Sequence, residues 1–146
     1  REAEQYYTNQ LQEGHIHRIY RGLVEGAINS DGVVNAAIGV DPVFDNRRCI
    51  DEFGQEAITE YRVIEHDDTK SLLEFKLLTG RTHQIRVHMA HIHHPIIGDA
   101  MYGTRNKPYT RQALHAYSLT FVPYGQTEAI TVVAPVPSNL GLEIHT

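Results

Sequence analysis

Cysteine is nearly absent from this chain of 146 residues. The single one, Cys49, excludes an internal disulfide and suits a reducing cytoplasm. No apolar run is long enough to read as a membrane span, so no membrane partner is expected. The opening residues Arg1, Glu2, Ala3, Glu4 and Gln5 are polar and acidic, which argues against a signal peptide there. An initiator Met is missing and the first residues read as the interior of a helix, so a cut or boundary upstream is expected. Internal repeats, low-complexity stretches and linkers are also lacking, which leaves residues 1–146 as part of a single domain. Nor is there an excess of positive charge: the formal net charge is −5, and this total does not point to nucleic acid.

The distribution of charge says more than its total. Residues 1–69 hold six Lys/Arg against fourteen Asp/Glu, whereas residues 70–112 hold seven Lys/Arg against two Asp/Glu. A basic segment inside an acidic chain can present a local positive surface to phosphates, although an ordinary mixed surface has the same composition. With 41% hydrophobic and 21% charged residues, the chain is globular in composition.

Periodicity predicts an amphipathic helix over residues 2–13, with Tyr6, Tyr7 and Leu11 among polar residues and Gly14 as its stop. Alternation from His15 to Glu25 predicts a strand. Residues 26–54, rich in Gly, Asp and Asn, read as loop with one short strand near Val33–Ile38. Ala57–Glu65 and Ser71–Leu78 form a predicted hairpin around the turn residues Asp67 and Asp68. Gly80 breaks the pattern, and Gln84–Ile92 carries helical spacing until Pro95 forbids continuation. Leu114–Val122 and Ala129–Ala134 read as two further strands. The expected fold class is α+β: a mixed, mostly antiparallel sheet with a few flanking helices.

Chemistry concentrates in Leu78–Asp99, LTGRTHQIRVHMAHIHHPIIGD, followed by Tyr102–Gly103. This is a strand, a glycine turn and a helix opening with Arg81, His83, Gln84 and Arg86. Cations and unpaired backbone N–H groups at one helix end suit a phosphate or carboxylate, and a solvated cap with surface arginines fits the same pattern.

The segments TGRTHQIRVH, HPIIGD with its following YG, RQALHAYSLTF, RIYRGLVEG and AITEYRVIE resemble, in order and over nearly the whole chain, the A-type (large-ribosomal-subunit) branch of the RNA pseudouridine synthases. The resemblance implies an isomerase that flips a uridine out of ribosomal or transfer RNA, turns the base and rejoins it through a ring carbon. It implies no metal or organic cofactor, and a cytoplasmic location. Tyr20 matches the tyrosine that stacks on the flipped base, a task a strand residue can perform with a flat face at fixed height. Arg86 matches the arginine that pairs with the catalytic aspartate, and Leu114 matches an apolar residue of the base pocket. Arg81 and His83 are expected to contact the RNA backbone or brace the turn, and Gln84 is expected to bind substrate.

The family's aspartate lies in a motif resembling H-R-L-D-x-x-T-S-G before the tyrosine strand, and no residue ahead of Tyr20 reads that way. Asp31, Asp41 and Asp45 follow Tyr20 and are not candidates. The expectation is therefore that the catalytic aspartate belongs to a missing N-terminal part, a partner in the sense of the same protein, and that this chain alone is inactive. A non-catalytic RNA-binding relative is the alternative. His93 replaces the glycine usual before HPI and completes a cluster with His83, His88, His91 and His94. His88 and His91 could share a helix face as metal ligands, but one cysteine and no H-E-x-x-H pattern argue against a metal site.

Overall fold

The computed structural model describes residues 2–12, 17–103 and 112–133. Its elements, in chain order, are α1 (Glu2–Gln12), β1 (His17–Glu25), β2 (Gly32–Asn35), β3 (Ile38–Val40), β4 (Arg48–Ile50), β5 (Ile58–His66), β6 (Lys70–Leu77), α2 (Gln84–His91), β7 (Leu114–Phe121) and β8 (Ile130–Val133). Six strands form one sheet in the order β2-β5-β6-β1-β7-β8, and β3 with β4 form a second, two-stranded sheet. Every named pairing is antiparallel. The architecture is thus the expected α+β class. No helix among the described residues is long and apolar enough to cross a membrane.

Most predicted elements are present with ends moved by one or two residues. The stop at Gly14 and the strand start at His15 lie outside the described residues. The stretch 26–54 is the exception, because it holds three short strands where one was expected. Strands of three or four residues offer too little alternation to be seen as a period. They are fixed by turns: Asp41 accepts from the backbone N–H groups of Val43 and Phe44, and Asp51 accepts from that of Phe53. Asp31 likewise accepts from Val63 N, across to β5.

The β5–β6 hairpin turns on Asp67, whose Oδ1 accepts from Thr69 N, Lys70 N and the Thr69 hydroxyl. The main core lies on the sheet face covered by α2, where Val24, Leu73, Phe75 and Leu77 meet Ile85 and Met89 of the helix. Tyr20 and Leu114 pack at the edge of this cluster. Gly22 sits between Tyr20 and Val24 on this face. A Cβ there would lie 2.9 Å from Ala113 O and 3.0 Å from Leu114 Cδ1, so the missing side chain lets β7 close over the centre of the sheet. At the far end, α1 is held by its tyrosines. Tyr6 donates to Val122 O, Tyr7 accepts from Tyr124 N, and the rings of Tyr6 and Tyr124 meet edge to face.

Helix α2 ends by a Schellman motif: His93 N donates to Ala90 O and His94 N to Met89 O. The motif requires a left-handed residue after the cap, and His93 occupies it with φ 68°. This is the position where the family resemblance leads one to expect glycine. A side chain in this conformation costs about 1–2 kcal/mol, and His93 is exposed, with little packing to offset it. His93→Gly should therefore stabilise the fold by about 1 kcal/mol after the entropy cost of glycine is subtracted, read as a higher denaturation midpoint in urea. An unchanged or lower midpoint would contradict the strain at this position.

Candidate active site

The turn between β6 and α2 is held by a chain of buried hydrogen bonds. The Thr79 hydroxyl and Arg81 N both donate to Gln84 Oε1, at 2.8 and 3.0 Å. Gln84 Nε2 donates to Ile58 O and to the Thr59 hydroxyl. His88 Nε2 lies 2.8 Å from Ala36 O and its Nδ1 lies 2.8 Å from Thr59 Oγ1. A carbonyl only accepts, so Nε2 must carry the proton, and Thr59 donates to the bare Nδ1. His88 is fully buried and neutral: burial pushes its ring below the usual 6.5, the hydrogen bond to Ala36 O opposes this, and nearby His91 adds to the fall.

One sequence expectation changes here. The sequence suggests Gln84 as a substrate-binding residue; it is 3% exposed with both amide ends engaged, so it braces the turn instead. His88 uses both ring nitrogens on the protein, which takes it out of any metal set with His91. Among the described residues no group of three His, Cys, Asp or Glu side chains converges as ligands. His94 is also engaged, donating from Nδ1 to Glu25 O at the end of β1.

With α2 fixed, Arg86 projects from its flank toward the loop after it. Nε and Nη2 reach the two oxygens of Asp99, each at 2.9 Å, in a fork-to-carboxylate pair. The Asp99 side chain is fully buried and that of Arg86 is 16% exposed. Backbone N–H groups of Met101 and Tyr102 also donate to Asp99 Oδ1. Burial pushes the Asp99 carboxyl up, but the Arg86 hydrogen bonds, the two backbone donors and the Arg86 charge together hold it below the usual 3.8. Among the described residues, Nη1 of Arg86 makes no hydrogen bond and remains available. The expected partner of Arg86 was an aspartate upstream of residue 1; within this chain its partner is Asp99. The composition of the basic segment held the signal for this residue, since Glu74 and Asp99 are its only acids and each is paired with arginine.

Tyr102 extends the site. Its hydroxyl accepts from Arg48 N and lies 2.7 Å from His83 Nδ1, and the Arg86 guanidinium stands 5.0 Å from its ring centre. His83 caps α2 in a left-handed conformation, φ 57°, without a side-chain cap bond. Partial burial, then the charges of Arg86 and Arg48, push its ring below 6.5 against the pull of Asp99. Arg81 donates from Nε to Glu56 O, so it too ties the turn to the neighbouring loop.

Tyr20 lies across the sheet on the face that α2 covers. It pairs with Phe75 on one side and Ala116 on the other, and a bulge in the β1–β7 register falls beside it. Bulges often sit at sites where a side chain must be re-aimed. Here the bulge leaves Tyr117 out of register, where it stacks under Arg21 at 4.0 Å. Tyr20 lines a groove of about 270 Å³ together with Arg18, Ala116, Tyr117, Ser118, Leu119 and Val132. Leu114 packs against the same core cluster, two residue pairs along β7. A half-buried ring beside an apolar groove, with a fixed guanidinium on the covering helix, can seat a flat ligand and stabilise negative charge near it.

Residues 1–91 match the family described as RNA pseudouridylate synthase. A ribosomal large subunit pseudouridine synthase D of Xylella fastidiosa is 40% identical over 95% of this chain and 46% of its own length. An uncharacterized RNA pseudouridine synthase of Bacillus subtilis is 38% identical over 94% of this chain and 47% of its own. Among solved structures, human RNA pseudouridylate synthase domain containing 1 superposes with a TM-score of 0.77 at 31% identity, covering 88% of this chain and 58% of that one. The chain spans about half the length of the curated relatives it matches.

The network makes stability depend on pH in two windows. His88 and His83 are lowered in the folded state, so the unfolded chain takes up protons first as pH falls below 6.5. Their contribution is complete above 6.5 and is lost as pH falls through the folded values. Asp99 acts in the same direction below 3.8. Thermal unfolding midpoints should fall from pH 7.5 to pH 5.5, and His88→Gln should flatten that slope while leaving the acid limb set by Asp99. An unchanged slope in the variant would mean that His88 is not buried neutral.

Proposed function

Because this chain belongs to the RNA pseudouridylate synthase family, we propose that it serves to convert uridine to pseudouridine within RNA. In this reaction the bond from the ribose to a ring nitrogen breaks, the base turns, and a new bond forms through a ring carbon whose proton leaves to water while the freed nitrogen takes one up. The substrate is ribosomal or transfer RNA, the work is cytoplasmic, and no cofactor takes part. The observation that carries the reading is the 40% identity over 95% of the chain. It is supported by a fold that sets Tyr20 and α2, the helix of Arg86, on one face of the sheet.

In this reading Tyr20 stacks on the flipped uracil, and the wall formed with Leu114 and the groove residues excludes water. Arg86 is the electrostatic element. Asp99 engages two of its donors and leaves Nη1, unbonded among the described residues, for the catalytic aspartate that the family's mechanism requires. A carboxylate enclosed with the base tends to take up a proton; a preset guanidinium opposes this without having to reorganise during the reaction. His83, Tyr102 and Arg48 hold the surroundings of that guanidinium, and Gln84, Thr59 and His88 hold the helix that carries it.

The assay is tritium release from RNA labelled at the uridine ring carbon that forms the new bond, with the full-length protein. Arg86→Ala should lose about 100-fold or more in kcat, the effect of about 3 kcal/mol, while RNA affinity changes little. Arg86→Lys keeps charge without the fork and should fall in between. Since removing Arg86 also strands the buried Asp99, at a cost of about 3–5 kcal/mol, both variants are compared at a temperature where circular dichroism shows them folded. Wild-type turnover by folded Arg86→Ala would remove Arg86 from this role.

A further inference from the structure

The described arginines are almost all engaged. Arg21 and Arg62 share Glu74, Arg86 holds Asp99, Arg81 and Arg48 donate to backbone carbonyls, and Arg47 stands over the Tyr102 ring. Arg18 differs: it makes no hydrogen bond, ion pair or ring contact among the described residues, and its Nε is buried without a partner. A buried donor left unsatisfied is costly, and more so on a charged group. Such exceptions in a folded protein call for a ligand or a function.

Its position says which ligand. Arg18 pairs in register with Leu77 and Leu119 on the strands either side, so apolar neighbours flank it. It is two residues before Tyr20 on the same strand face and lines the same groove. Room for the guanidinium comes from Gly80: a Cβ there would collide with Nη2 and lie 2.9 Å from Nη1. The turn that fixes α2 therefore also leaves space for a cation at one end of the Tyr20 groove. With Arg86 already committed to Asp99, Arg18 is the unneutralised charge of this groove.

We propose that Arg18 anchors the RNA strand by binding the phosphodiester that adjoins the nucleotide seated on Tyr20. This rests on the reading of Tyr20 as the base-stacking residue. The planar fork of Arg18 matches two phosphate oxygens. Arg18 is thus a binding residue, distinct from the electrostatic role of Arg86: it holds the strand equally before and during the reaction, so its loss acts on KM and affinity more than on kcat.

The test uses the full-length protein and a tritiated large-subunit ribosomal RNA transcript, with affinity measured over a range of salt. Arg18→Gln should raise KM and Kd about 10-fold, leave kcat within about 3-fold, and reduce the slope of log affinity against log salt by about 0.7–0.9, one phosphate contact. Arg18→Lys should restore the slope. Gly80→Ala, which keeps the charge but displaces it, should raise KM in the same way, so that the inference does not hang on one variant. A slope and KM unchanged in Arg18→Gln would overturn the proposal. So would a loss confined to kcat at unchanged slope, the signature of a carboxylate elsewhere in the protein taking the guanidinium. If the wild type released no tritium from the transcript, the isomerase reading would fail, while the comparison of salt slopes would still decide the phosphate contact.

Discussion

The arrangement depends on one buried chain of hydrogen bonds, from Thr79 through Gln84 and Thr59 to His88 and Ala36 O. It spans the end of β6, the start of α2, the first turn of β5 and the strand region after β2. Apolar contact alone would allow α2 to slide or rotate over the sheet, because Ile85 and Met89 meet broad aliphatic neighbours. Hydrogen bonds with defined donors and acceptors do not allow this. Each member has its partners, so the network specifies one arrangement instead of weakening the core. Arg86, Asp99 and Tyr102 are placed as a result.

That dependence orders the molecule from inside to outside. Polar residues of the TGRTHQIRVH segment are divided between two tasks. Gln84 and His88 face inward and fix geometry, whereas Arg86 and His83 lie on the flank and meet the loop through Asp99 and Tyr102. The same division is seen in the charges. Most of the described arginines are engaged by a carboxylate or by carbonyl oxygens, and among the described residues Arg18, on the sheet face that carries Tyr20, has no such partner. A chain with net negative charge can therefore still offer a positive contact beside the Tyr20 groove.

Much of the fold was legible in the sequence because its strands are long and its turns have distinct chemistry. The hairpin around Asp67, the helix stopped before Pro95 and the strand of Tyr20 all follow from period and turn residues. The small sheet of β3 and β4 did not, since three residues carry no period and its turns rely on side-chain-to-backbone bonds of Asp41 and Asp51. Site chemistry was legible to the extent that residue type matched a known pattern. The motifs single out Tyr20 and Arg86, but not the partner of Arg86 within the chain, because Asp99 is thirteen residues away through an irregular loop. Gln84 illustrates the opposite limit: a polar residue at a helix start suits ligand and brace equally, and only burial separates the two. His93 was visible as a departure from pattern, and its left-handed backbone gives the departure a physical meaning.

The place of β1 at the centre of the sheet has a consequence for how the chain acquires its structure. Its neighbours are β6 and β7, so Tyr20 waits for Phe75 on one side and Ala116 on the other. Both partners are distant in sequence, and contacts of long separation are slow to form because a large loop must close before any is gained. On the ribosome β1 emerges well before either partner, with Leu23 and Val24, both fully buried in the final fold, exposed until then. The strand that carries Tyr20 is thus made well before the strands it pairs with, and that interval is when it is most open to association with other unfinished chains.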